Sequence, residues 1–376
     1  MRARIRGLAM TALAAGVLAA GAAAAPARAQ VVIGTAGPTS NAEALFGTTW
    51  MNGMELAIRQ ANDAGGVGGQ KLSLQRQDDQ GDPKQGTLIA QRFCDDRAVL
   101  AVIADFNSGV TIPASDVYNR CGMPQVTNSS NPRITTFGYK NLFRPMANDF
   151  MQGGAPAEYA LNTMHAKTAA VVHDKQAFGQ GVAEVFRTDF TKGGGKVTSF
   201  SGVTATDVDF TALLTTIKGE NPDLVYFGGT MPGAALFLKQ MRELGIKAGF
   251  FGADPLFLKD FITNSGEGNA QGAIVSFQSP PYDSSEDLKQ FADTYKKAFN
   301  ADPGPYSAYG YLEAQIIIEA MKRAAKPLAR SGIVTEIAKT DMDTLMGHIA
   351  FQPNGEVTHP ILFLYQVKGD DFHLLK

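Results

Sequence analysis

Reactive side chains are scarce in this chain. Its 376 residues include only two cysteines and five histidines. None of His165, His173, His348, His359 and His373 lies in an H-E-x-x-H, G-x-S-x-G or paired Cys-His context. With no nucleophile beside a base, enzymatic chemistry is not expected. Gly193-Gly194-Gly195 before Lys196 lacks the spacing of a phosphate loop and follows a helical pattern, so it reads as a turn. Gly228-Gly229 is no dinucleotide fingerprint either, and no cofactor is expected. Neither cysteine has a histidine near it in sequence, which excludes the common zinc spacings. After residue 29 no apolar run is long enough to span a bilayer.

What is present begins with an address label. Arg2, Arg4 and Arg6 precede an alanine-rich apolar run from Leu8 to Ala25, and Ala27-Arg28-Ala29 fits a cleavage site before Gln30. Residues 1–29 are therefore expected to be a signal peptide. With no twin arginine and no lipobox cysteine, a soluble periplasmic protein exported by the general secretory route is expected. Without those 29 residues and their four arginines, 347 residues carry 30 basic and 36 acidic side chains, a net charge of −6. That balance argues against nucleic acid as a partner. In an oxidising compartment Cys94 and Cys121 form a candidate disulfide, the alternative being two buried thiols.

From Val31 onward short apolar runs alternate with amphipathic stretches, the pattern of parallel βαβ units. Strands are predicted at 31–36, 71–76, 99–104 and 124–127, then at 168–173, 196–201, 223–228, 248–252 and 272–277. Helical patterns fill the intervals, for example Ala235, Leu238 and Met241 spaced three apart with Leu244. Asp82 before Pro83 marks one helix start, and Gly245 after Leu244 marks a helix stop. After Ser279-Pro280-Pro281 the pattern changes to helices at 285–299, 305–325 and 329–339, followed by strands at 347–351 and 361–367. Two series of βα units predict two similar lobes.

Two polar turns stand out, Asn107-Ser108-Gly109 and Asn128-Ser129-Ser130. Each follows the carboxyl end of a predicted strand, where open α/β sheets bind small ligands. Hydroxyls, amides and free N–H groups at a helix start suit the holding of a polar or anionic group.

Several segments in order carry a family resemblance: 52–72 (N-G-M-E-L-A-I-R-Q-A-N-D-A-G-G-V-G-G-Q-K-L), D-D-Q-G-D-P-K-Q at 78–85, S-x-x-T-x-P-A-S-D-V-Y at 108–118, H-D-K-Q-A-F-G-Q-G at 173–181, D-F-T-A-L-L at 209–214 and D-L-V-Y-F-G-G at 223–229. Through them the chain resembles the periplasmic branched-chain amino-acid binding proteins, the receptors of ABC importers, over essentially its whole length after residue 29. The resemblance implies an α/β fold of two Rossmann-like lobes with parallel central sheets, joined by three hinge crossovers near Met146, Gln278 and Asn354. It assigns 30–146 plus 279–354 to one lobe and 147–278 plus 355–376 to the other. It further implies a monomeric receptor that closes on an amino acid, branched-chain or similar, and hands it to a permease in the inner membrane.

By the same resemblance Ser108 and the Asn128-Ser129-Ser130 turn hold the ligand's carboxylate. Asp254 aligns with an acidic residue that takes the ammonium; capping of the helix that begins near Pro255 is its alternative role. Phe46 and Phe178 align with aromatic walls, and Thr230 stands where the family places a tyrosine, which alters the pocket volume. The same architecture also suits an aromatic or aliphatic carboxylic acid, a short amide or urea, or a ligand-sensing subunit.

Overall fold

The structure, a computed structural model, describes residues 30–204 and 206–375. The expected signal peptide lies outside the described residues. The first sheet contains β1 (Val31–Gly37), β2 (Leu72–Asp78), β3 (Val99–Ile103), β4 (Gln125–Val126) and β5 (Leu142–Phe143). Its strands are all parallel, in the order β2-β1-β3-β4-β5. Helices α1 (Ala44–Asp63), α2 (Pro83–Asp95), α3 (Ser108–Arg120) and the single turn α4 (Arg133–Thr136) connect them. Asp82 caps α2 as the sequence predicts, accepting from the N–H groups of Lys84 and Gln85.

The chain then passes to a second layer. It begins with α5 (Asp149–Asn162) and continues through β6 (Thr168–His173), α6 (Ala177–Lys192), β7 (Lys196–Gly202), α7 (Thr211–Glu220), β8 (Leu224–Gly228), α8 (Gly233–Glu243), β9 (Gly249–Gly252), α9 (Lys259–Asn264) and β10 (Ile274–Phe277). These five strands are parallel. The tail returns to the first layer as α10 (Glu286–Phe299), α11 (Ser307–Arg323) and α12 (Arg330–Ile337). The hairpin β11 (Asp341–Thr344) and β12 (Gly347–Ala350) follows, and β13 (Phe363–Lys368) and β14 (Asp371–Leu374) then extend the second sheet antiparallel beyond β10.

Glycine lets the returning helix approach closely. A Cβ on Gly53 of α1 would stand 2.0 Å from the Ser307 carbonyl oxygen, and one on Gly310 of α11 would stand 2.0 Å from that of Trp50. The crossing buries Trp50, whose Nε1–H donates to Glu313 Oε2 at 2.7 Å. The chain passes between the two sheets after β5, after β10 and after β12. Arg144 N–H donates to the Gly355 carbonyl and Val357 N–H to the Arg144 carbonyl, so residues 355–357 continue the β5 edge of the first sheet. Buried Arg144 also pairs with Glu356 and donates through Nη1 to the carbonyls of Ser129 and Asn131, at 3.1 and 2.9 Å. Among the described residues, no helix is long and apolar enough to cross a membrane.

Candidate functional site

In each sheet the strand order reverses once beside the first strand of its series, between β1 and β3 and between β6 and β8. Loops leaving the carboxyl ends of such strands diverge and leave a crevice. Here the crevices of the two sheets meet. The shared cavity is lined by residues of both, a concave site with a few convergent polar groups of the kind that holds small molecules.

The loops after β1 and β3 and the helix starts that follow them supply Glu43, Phe46, Phe106, Asn107 and Ser108, and the loop after β4 supplies Asn128 and Ser130. From the second layer come Gln176 and Phe178 after β6, Thr230 after β8, and Asp254 and Pro255 after β9; Tyr306 enters from the start of α11. Seven of the eight residues singled out from sequence therefore line one cavity: Phe46, Ser108, Asn128, Ser130, Phe178, Thr230 and Asp254. Ser129 does not. Its hydroxyl lies against Thr111 Oγ1 and the carbonyls of Asp105 and Phe106, at 3.2 and 3.0 Å, on the core side of the loop. The turn thus presents its first and third residues to the cleft and its middle one to the core.

The polar end of the cavity has open valences. Ser108 begins α3, where free N–H groups and the helix dipole favour an anion; its Oγ accepts from the Asn131 N–H at 3.3 Å. Asn128 Oδ1 and Asp254 Oδ1 are buried without a partner in hydrogen-bonding geometry. Asp254 opens a 3-10 turn at 254–256, but its side chain caps nothing. Instead its Oδ2 accepts from the Tyr306 hydroxyl at 2.6 Å, a bond between the two layers. Burial raises the Asp254 carboxyl to about 6, against opposing hydrogen bonds from Tyr306 and then from the side chains of Gln278 and Gln152. Asp149, which lies behind Ser130, is raised by burial to about 7, with the Ser130 hydroxyl bond acting the other way. A second bond between the layers joins Asn131 Nδ2 to the Ala177 carbonyl at 2.8 Å.

Aromatic rings form the wall. Tyr306 packs edge-on against Phe46 and Phe106, with ring centroids 5.4 and 4.9 Å apart, and Trp50 backs Phe106 at 5.5 Å. Such edge-to-face contacts fix ring positions beyond simple area burial.

Sequence reasoning passed over Glu43 and Tyr306. Glu43 lies one helical turn before Phe46, a spacing that places both on one face. That was the available signal, although the acid also reads as an ordinary first-turn residue. Burial pushes its carboxyl up, while hydrogen bonds from Asn107 and Thr230 pull it down; the Asn107 Nδ2 bond measures 2.7 Å. Tyr306 arrives from the distant tail, where no local pattern marks it. His173 stays outside this cavity, accepting the Lys175 N–H at Nδ1 at 3.1 Å, and burial lowers its pKa.

Two facing α/β layers with a cleft between their strand ends define a solute-binding receptor of the type I periplasmic binding protein architecture. Comparison with known proteins makes this specific: residues 30–371 match the periplasmic binding protein family, and the chain belongs to it. It is 35% identical to an amino acid binding protein of Pseudomonas aeruginosa over 84% of this chain and 87% of that one. It is 33% identical to the Leu/Ile/Val-binding protein homolog 1 of Brucella abortus, covering 91% and 92% of the two chains. A solved leucine-binding protein of Thermotoga maritima superposes with a TM-score of 0.85 at 27% identity, over 92% of this chain and 98% of that one.

Proposed function

We propose that this protein captures an amino acid, branched-chain or similar, in the periplasm and delivers it to the inner-membrane permease of an ABC importer. The observation that carries the reading is the polar end of the cleft. Asp254 and Asn128 present buried, unpartnered oxygens beside the hydroxyls of Ser108 and Ser130 and the start of α3. The names of the relatives agree with it.

In this reading the ligand's carboxylate lies against Ser108, Ser130 and the N–H groups of α3, while its ammonium meets Asp254 and the Asn128 oxygen. A charge-assisted bond of this kind is short and strong in a desolvated site. Phe46, Phe178 and Thr230 border the side chain. The two layers close as rigid lobes about the three crossovers, a hinge motion around the ligand, with Tyr306–Asp254 and Asn131–Ala177 as contacts of the closed form. A ligand without an amine would leave Asp254 facing it unpaired, at a cost. The cleft is a binding site without a reacting group, and the receptor acts as a monomer.

Isothermal titration against the common amino acids and a set of simple carboxylic acids tests this. Micromolar or tighter binding of at least one amino acid is expected. Heat only from acids that lack an amine would overturn the amino-acid assignment.

A further inference from the structure

We propose that Glu43 forms a second cation subsite, so that the cleft takes α-amino acids whose side chain ends in an ammonium or guanidinium. This rests on the amino-acid reading above and extends it to the other end of the ligand.

The polar lining of the cavity falls into two groups. One is the group formed by Ser108, Asn128, Ser130 and Asp254. The other is formed by Glu43, Asn107, Gln176 and Thr230, and these four residues also line an adjoining cavity of about 740 Å³ counting its mouth. They therefore stand where the two cavities adjoin. Asp174 lines the second of these. It is 7% exposed, and its Oδ2 has no partner in hydrogen-bonding geometry, while Oδ1 accepts from the Gln176 N–H at 2.9 Å.

Charge decides what such a lining can take. Among the described residues, no lysine, arginine or histidine lines either cavity, although Glu43, Asp174 and Asp254 do. Removing an acid from water without a counter-charge is expensive, and neutral donors offset only part of that cost. The donor amide of Asn107 is already turned to Glu43, which leaves Asn107 Oδ1 as one more acceptor without a partner. A purely aliphatic side chain would leave Asn107 Oδ1 and Asp174 Oδ2 unmatched and bring no counter-charge to Glu43. A lysine ammonium brings three donors and an arginine guanidinium five, together with the missing positive charge. Thr230, with its short side chain, borders both cavities beside Glu43.

The test is titration of the purified protein with leucine, glutamine, lysine and arginine, repeated on Glu43→Gln and Glu43→Asp. Lysine or arginine should bind at least about tenfold more tightly than leucine and glutamine, a difference of about 1.4 kcal/mol. Glu43→Gln should cut that preference by about tenfold, and Glu43→Asp, which retracts the carboxylate by one methylene, should cut it less. Thermal unfolding of the ligand-free variants separates this effect from loss of fold. Tightest binding of leucine or glutamine, or a preference untouched by both substitutions, overturns the second subsite and leaves an amino-acid receptor standing. Silence from all common amino acids overturns the underlying reading, and this inference falls with it.

Discussion

Asp254 sits at the centre of the residue-scale argument. Its carboxylate receives the Tyr306 hydroxyl at Oδ2, and Oδ1 is buried without a partner in hydrogen-bonding geometry. Asp254→Ala should weaken binding of an amine ligand by roughly 2–5 kcal/mol, the usual loss when a buried charge partner is removed; titration calorimetry on the variant reads this directly, and unchanged affinity would take Asp254 out of the site. At this scale the sequence was informative wherever a residue stood directly behind a strand, as Ser108, Asn128, Ser130 and Asp254 do. It was blind in two cases. Ser129 is chemically equivalent to Ser130, and only the folded loop, which binds its hydroxyl to the Asp105 and Phe106 carbonyls, tells the two apart. Tyr306 reaches the cleft from a helix more than 170 residues beyond Asn128, and no spacing in one sequence records that return.

Elements with strong periodicity were legible. The long helices and the buried strands of both βα series lie within a few residues of their predicted bounds. The elements that escaped are short or solvated. β5 has two residues and α9 has six. β11 and β14, with the sequences D-M-D-T and D-F-H-L, are mostly exposed hairpin and edge strands without a buried face to impose alternation. The Cys94–Cys121 bond joins the end of α2 to the residue after α3, with Cα atoms 5.9 Å apart and 27 positions between the two cysteines in sequence number. Closing a loop of that length restricts the unfolded chain by about 3.5 kcal/mol in the chain-entropy account. Replacing both cysteines with alanine should lower the denaturant midpoint accordingly, while the start of α3, at the other end of that helix, keeps the binding geometry. A midpoint equal to that of the parent protein would show that the bond adds no stability.

For the whole molecule, the buried acids give acidity two opposite effects. Burial raises Asp79 and Asp149 to about 7, and Asp174 and Asp254 to about 6, from an ordinary value of 3.8. The folded chain thus holds protons that the unfolded chain releases. Stability from these groups is fully present below about pH 4 and is lost as pH rises through about 6 to 7. The ligand-free protein should therefore unfold at a higher temperature at pH 5 than at pH 8, by an amount on the order of a few kcal/mol in stability. An amine ligand needs Asp254 ionised, so its affinity should fall below about pH 6, approaching tenfold per unit. Thermal scans with and without ligand across this range check both signs, and parallel curves would refute the coupling. The same one-signed lining also bears on arrival. A cleft walled by acids and rings draws small cations down its potential and turns anions back before contact, so capture of a basic solute should be fast at low ionic strength and slow progressively as salt shortens the reach of the field. The composition of the medium, as well as the fit of the pocket, would then set how quickly this receptor fills.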